Sequence, residues 1–232
     1  MPKKGRHVTN KERLQKTIAR TPTDRLLTWD FVDNEGILAR YGGYDSSRSY
    51  SFEELTELNL KAFRSIGLDM TRFVYDPVNH WMGNKVENWI RFFGVDPGEW
   101  EVSQEGGTAW ISKRPFKTLS ELEKHMPDMP DFEEVRDWFE PWITYIGQVF
   151  DDNDVVFIGG VEGPMSDSYT YMDMELFALA IYDAPELVSH VMDCTAAFSE
   201  YMARIYAEHA TAPILFMGED ICGVSGPIFS PD

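Results

Sequence analysis

The chain has 232 residues, a formal net charge of −18, and 43% apolar residues that include seven Trp and fifteen Phe. That length suits one large domain or two small ones, with ample material for a core. The acidic balance argues against nucleic acid and against anionic membranes, both of which select for excess Lys and Arg.

Cys194 and Cys222 are the two cysteines, far apart and without a CxxC pair, so a disulfide framework is not expected and a reducing compartment fits. The basic start MPKKGRHVTNKER is followed by no apolar run of signal-peptide type, and no run approaches the roughly 18 apolar residues of a membrane span. These features predict a soluble, cytoplasmic protein.

In chain order, residues 1–8 read as a loose tail. Thr9 and Glu12 form a capping box before a short helix through Leu14, Ile18 and Ala19. Residues 26–31 (LLTWDF) are a first strand candidate with Asp30 near its end. Ser51 and Glu54 form a second capping box, opening a helix that stops at Gly67. Residues 70–75 are a second strand, ended by Asp76 and Pro77. Residues 77–130 interrupt this rhythm and read as an insertion over one end of the domain. It holds a helix over 88–93, a hairpin of 100–104 and 108–112 joined through Glu105-Gly106-Gly107, and a brief helix capped by Thr118 and Glu121.

Asp131 and Glu134 open a helix to about Phe150, which Pro141 is expected to kink or split. Residues 154–161 (DVVFIGGV) form a nearly all-apolar third strand, running into Glu162-Gly163-Pro164. Residues 171–182 and 184–209 read as helices, and residues 214–217 as a fourth strand leading to Gly218, Glu219 and Asp220. Strands separated by helical connections imply an α/β fold with a parallel sheet, either doubly wound or a (β/α)8 barrel. The doubly wound option calls for GxGxxG after a strand, and IGGVEG has the wrong glycine spacing. The barrel is therefore expected, with 1–232 as a single domain. Four units already use the whole chain, and Ser230-Pro231 reads as a helix start, so a barrel truncated to its first half is expected.

Each expected strand ends in an acid: Asp30, Asp76, Glu162, then Glu219 with Asp220. In a barrel these ends share one face, where carboxylates serve as general acids and bases, hold metals or bind donor groups of a substrate. Against this stands the fact that an acidic chain places carboxylates in many loops. Tyr75, Asn79 and His80 follow the second strand and are candidates to line a pocket. His190 and Cys194 share a helix face, but two ligands do not make a zinc site. Cys222 lies beside the acidic pair and reads as a small buried residue before it reads as a ligand. Trp81, Trp89, Trp100 and Trp110 read as core. There is no GxSxG, HExxH or P-loop.

Four segments in order resemble the uroporphyrinogen decarboxylase superfamily: NKERLQKTIARTPTDRLLTW (10–29), FIGGVEGP (157–164), DAPELVSHVMD (183–193) and GEDICGVSGPIFSPD (218–232). The resemblance implies a (β/α)8 barrel with a cleft at the strand carboxyl ends. It implies one of two chemistries. The first is methyl transfer between a corrinoid protein and a thiol or related acceptor, using zinc; the second is cofactor-free decarboxylation of uroporphyrinogen in haem biosynthesis. The decarboxylases carry an arginine-rich RQAGRY segment after the first strand, where this chain reads FVDNEGILARYGGY (31–44) with only Arg40-Tyr41-Gly42 as an echo. An acidic first loop of Asp30, Asp33 and Glu35 would repel a polycarboxylate. The methyltransferase branch is therefore expected first, with zinc and a corrinoid protein implied for the whole protein and zinc ligands (His-x-Cys and a later Cys) falling beyond Asp232.

Asp76, Glu219 and Asp220 are expected as catalytic groups and Glu162 as a substrate-binding one by residue matching, with Asp30, Tyr75 and His80 added as substrate-binding residues from their places at and after strand ends. A small-molecule substrate and a possible homodimer complete the expectation. The alternatives are a porphyrinogen decarboxylase and a non-catalytic binding protein or inactive fragment on the same fold. Residues 1–232 alone are expected to be inactive.

Overall fold

The structure is a computed structural model that describes residues 8–78, 80, 83–105, 108–209, 212–223 and 226–228. The expected amino-terminal tail, Asn79, Trp81, the Gly106-Gly107 turn and the Ser230-Pro231 helix start fall mostly or wholly outside these residues.

Both amino-terminal capping boxes form. Thr9 Oγ1 and the Glu12 carboxylate close the start of α1 (Asn10–Ile18), and Ser51 with Glu54 closes α3 (Phe52–Ile66). Between them lie α2 (Glu35–Ile37) and a π-helical turn, Leu38–Gly42. Asn84 and Glu87 make a further capping box on α4 (Lys85–Phe92), which starts three residues before the expected helix. The insertion hairpin is β2 (Glu101–Glu105) against β3 (Thr108–Lys113), antiparallel, followed by the short α5 (Leu119–Leu122). Trp89, Trp100, Phe116 and Tyr171 stack within 6 Å of one another, so the insertion shares the main core, as expected for these Trp residues. Trp110 is the exception, 47% exposed.

The helix α6 (Phe132–Asp152) runs through Pro141 without a break. Pro141 and Asp137 lie on its exposed side, so the carbonyl that loses its donor faces water, while Val135, Phe139, Ile143, Ile146 and Phe150 stay buried. Two helices replace the expected one at 171–182: α7 (Pro164–Met172) and α8 (Met174–Asp183). Gly163-Pro164 was the overlooked signal, a proline at the first helical position. The two helices join at Asp173, with φ 77°, and α9 (Pro185–His209) follows.

Strands β1 (Met70–Thr71) and β4 (Val156–Phe157) pair in parallel, as do β5 (Gly159–Glu162) and β6 (Leu215–Gly218). Trp29 bridges Met70, also in parallel. The four segments expected as strands therefore run in one direction, each linked to the next by helices. They are shorter than expected. Residues 26–31 contribute only the bridge, and after Thr71 the Thr71 hydroxyl bonds the Phe73 amide at 3.2 Å, a local turn that competes with the ladder. At the carboxyl side, β7 (Cys222–Gly223) and β8 (Gly226–Pro227) make a small hairpin.

Helices α3, α6 and α9 cover one side of these strands, meeting Val155, Phe157 and Val161 in the main core. The opposite side carries Val156 and Ile158, with Leu14 of α1, Leu27, Met70 and Phe216 packed around them. Trp29, Phe31, Leu215 and Met217 remain substantially exposed. The fold is thus mixed α/β with parallel pairing. No helix of the described residues is long and apolar enough to cross a membrane.

Candidate active site

A cavity of about 560 Å³ opens where the first three parallel segments end. Phe31 and Asp33 reach it from the first segment, Arg72, Val74 and Asp76 from the second, and Gly160, Val161 and Glu162 from β5. Lys85 and Trp89 of α4, Asp167 of α7, and Phe198, Met202 and Tyr206 of α9 complete its walls.

Asp76 is the most constrained group in it. The side chain is 3% exposed, and Oδ1 lies 2.7 Å from Nδ1 of His80. Its Oδ2 is buried with no hydrogen-bond partner among the described residues. The direction of this side chain follows from α3. Asn59, itself fully buried, accepts from the Tyr75 amide at 3.0 Å and donates to the Tyr75 carbonyl at 3.2 Å, so the backbone before Asp76 is held from both sides. Tyr75 points away from the cavity into a cluster with Leu38 and Ala62, and its hydroxyl reaches Glu35 at 3.5 Å. Burial, reinforced by Glu35, pushes the Tyr75 phenol up to about 12.

Lys85 stands at the first helical position of α4. Its Nζ lies 2.6 Å from Asp167 and 3.9 Å from Glu162. Burial lowers the affinity of this amine for its proton, but Asp167 and Glu162 outweigh that, and its pKa lies above the ordinary lysine value. At Glu162 burial pushes the carboxyl up, Lys85 opposes, and Asp167 and Asp220 add to the rise. Arg72 is held differently. Its guanidinium lies over two rings, 5.0 Å from the Phe31 centroid and 4.2 Å from that of Phe216. Its Nε is buried without a partner among the described residues.

Glu219, expected as catalytic, does not line this cavity. Its carboxylate accepts from the Met165 amide at 3.1 Å and from the Ser166 amide and hydroxyl at 2.9 and 2.5 Å. It therefore caps α7 from the end of β6, where the positive end of the helix favours a carboxylate. The close approach relies on Gly163, where a Cβ would sit 1.9 Å from the Glu219 carboxyl carbon. Asp220 is exposed; its amide donates to Ser166 Oγ and its carbonyl accepts from the Tyr169 hydroxyl at 3.0 Å. Asp30 is also exposed, with its carboxylate bonded to the following amide at 2.8 Å. Of the seven expected site residues, Asp76 and Glu162 line the cavity and His80 touches it through Asp76. Arg72, Lys85 and Asp167 were missed, although Asn84-x-x-Glu87 marked the helix start that presents Lys85.

The described residues contain no group of three or more His, Cys, Asp or Glu arranged to hold a metal. His190 and Cys194 do meet, at 3.7 Å, but His190 Nε2 lies 2.7 Å from the Pro127 carbonyl. Burial, with Asp193 and Asp128, pushes the Cys194 thiol up to about 11, so it stays protonated. Cys222 is exposed on the β7–β8 hairpin and does not line the cavity.

No known family model matches the chain, and no curated protein matches its sequence. Among solved structures, a methyltransferase from Methanosarcina mazei is similar, with a TM-score of 0.58 and 17% identity over 88% of this chain and 57% of its own. The chain spans somewhat over half the length of that structure. At this identity the likeness is one of fold: this chain shares the architecture of a methyltransferase.

Proposed function

We propose that the chain is part of a methyltransferase of the uroporphyrinogen decarboxylase superfamily, built on a (β/α)8 barrel, that methylates a thiol or related small acceptor in the cavity at the strand ends. The observation that carries this reading is the buried Oδ2 of Asp76, placed in a cavity at the carboxyl ends of parallel segments in a fold shared with a methyltransferase. Such ends are where barrel enzymes hold their reacting groups. Zinc and a corrinoid protein belong to this reading through the resemblance alone. The described residues offer no donor set that fits zinc, and no step is derived through it.

Within the chain the division of labour follows from the geometry. Asp76 Oδ2 accepts the hydrogen of an S–H, O–H or N–H group on the acceptor, orients it, and takes its proton as the methyl group arrives. His80 holds Oδ1 and so keeps Oδ2 turned inward. Lys85, with Asp167 and Glu162, closes the other wall of the cavity. Glu219 acts at one remove, as a positioning residue for α7, and Asp220 lies next to it.

A decarboxylase reading has one favourable observation, the two cations Arg72 and Lys85 in the cavity wall. Four carboxylates in the same wall, Asp33, Asp76, Glu162 and Asp167, weigh against a polycarboxylate substrate. Arg40, the echo of the arginine-rich segment, is exposed and does not line the cavity.

The test is to incubate the whole protein, of which this chain is proposed to be part, with methylcobalamin and 2-mercaptoethanol, and separately with uroporphyrinogen. Methylated thiol without decarboxylated porphyrinogen supports the proposal. The reverse result establishes the decarboxylase, and turnover of neither leaves a binding protein on this fold.

A further inference from the structure

Two buried polar atoms of opposite kind belong to residues lining the same cavity, each without a partner among the described residues: the donor Nε of Arg72 and the acceptor Oδ2 of Asp76. Leaving such a group unmet is costly, so native structures place few of them, and each calls for an explanation. Here both lie on one stretch of chain, four residues apart, so their Cα atoms are at most roughly 14 Å apart. A single small molecule in a 560 Å³ cavity can meet both.

The other charged side chains of the cavity are unequal to these two. Lys85 is engaged by Asp167 and Glu162. Arg72 makes no ion pair in the described residues; its guanidinium lies near the faces of Phe31 and Phe216, and its charge acts on Glu162 from a distance.

We infer that the cavity selects a bipolar substrate, one carrying a carboxylate for Arg72 at one end and a hydrogen-bond donor for Asp76 at the other. The inference rests on the methyltransferase reading for what happens at the donor end, and adds the substrate class. Arg72 is then the specificity-determining residue: it anchors the end that does not react, and so places the donor at Asp76 Oδ2. Contact with the two rings restrains the guanidinium and spares the ligand part of the cost of ordering it.

A ligand series tests this without any turnover, so its failure is separable from failure of methyl transfer. The probes are 6-aminohexanoate, hexylamine and hexanoate, measured by calorimetry on the same protein. The bipolar probe is expected to bind about ten- to a hundredfold more tightly than either single-ended one. Arg72→Gln is expected to reduce 6-aminohexanoate to the affinity of hexylamine and leave hexylamine unchanged, whereas Asp76→Asn reduces it to that of hexanoate. Equal binding of all three probes by the wild type would overturn the inference even if neither variant folds. An advantage for the bipolar probe that survives Arg72→Gln in a folded variant would overturn the role of Arg72.

Discussion

Asp69 shows at the scale of one residue how a buried carboxylate is kept charged. It is 5% exposed, and the Arg25 guanidinium grips both of its oxygens at 2.5 and 2.6 Å while the Thr28 amide and hydroxyl donate to Oδ2. Burial alone would raise its pKa, but Arg25 and Thr28 outweigh that, and the value falls below the ordinary one of 3.8. A lowered folded-state pKa means that the contribution is present above the unfolded value and is lost as pH falls through the folded one. Arg25 is half exposed, which discounts the pair to about 1–2 kcal/mol. We therefore expect Asp69→Asn to lower Tm near neutral pH and to shrink the drop in Tm on acidification below about pH 4. An unchanged acid limb in thermal melts would contradict this assignment.

Among the elements, α7 depends most on a distant part of the chain. Its amino terminus is closed by Glu219, fifty-odd residues on, and its carboxyl-terminal carbonyls at Thr170 and Tyr171 are met by Arg114 from the insertion at 2.6 and 3.0 Å. Since α7 carries Asp167, these two contacts also place Lys85. Glu219→Gln keeps the shape and removes the charge, so we expect a loss of about 1–2 kcal/mol with the fold intact, read as a lower urea midpoint at unchanged slope. Local chemistry made much of this level legible. The capping boxes at Thr9 and Ser51 and the N-cap at Thr118 act within a few residues of themselves. What escaped depends on partners far away in sequence. Nothing near Glu219 tells that its carboxylate meets Ser166. Arg72 sits in an apolar run as any surface arginine could, and only the fold brings the rings of Phe31 and Phe216 to it. Asp30 and Asp76 both follow apolar runs, yet only the second has an Asn59 to turn it inward.

On the scale of the whole molecule, apolar surface stays open on both sides of the parallel segments. Trp29 and Phe31, on the side away from α3, α6 and α9, and Leu215 and Met217 of β6, on the helix side with Val161, keep from 39% to 59% of their surface. Parallel sheets are ordinarily covered on both faces, and a closed barrel is one way to do so. For residues 1–232 by themselves we expect concentration-dependent self-association through this apolar surface, with Trp29→Glu and Met217→Glu each shifting it toward monomer in analytical ultracentrifugation. A wild type that stays monomeric up to about 100 μM would show that this surface needs no cover, since contacts weaker than that are the transient class.

Fold, cavity and chemistry converge on Asp76, and the most direct measurement is kcat for methyl transfer from methylcobalamin to 2-mercaptoethanol in the wild type, Asp76→Asn and Glu219→Gln. In the whole protein, of which this chain is proposed to be part, we expect turnover by the wild type, a fall of about a hundredfold or more in Asp76→Asn, and a fall of less than about tenfold in Glu219→Gln below its unfolding temperature. Wild-type rates in a folded Asp76→Asn, or no methylated thiol from the wild type, would contradict the assignment of this cavity as a methyl-transfer site.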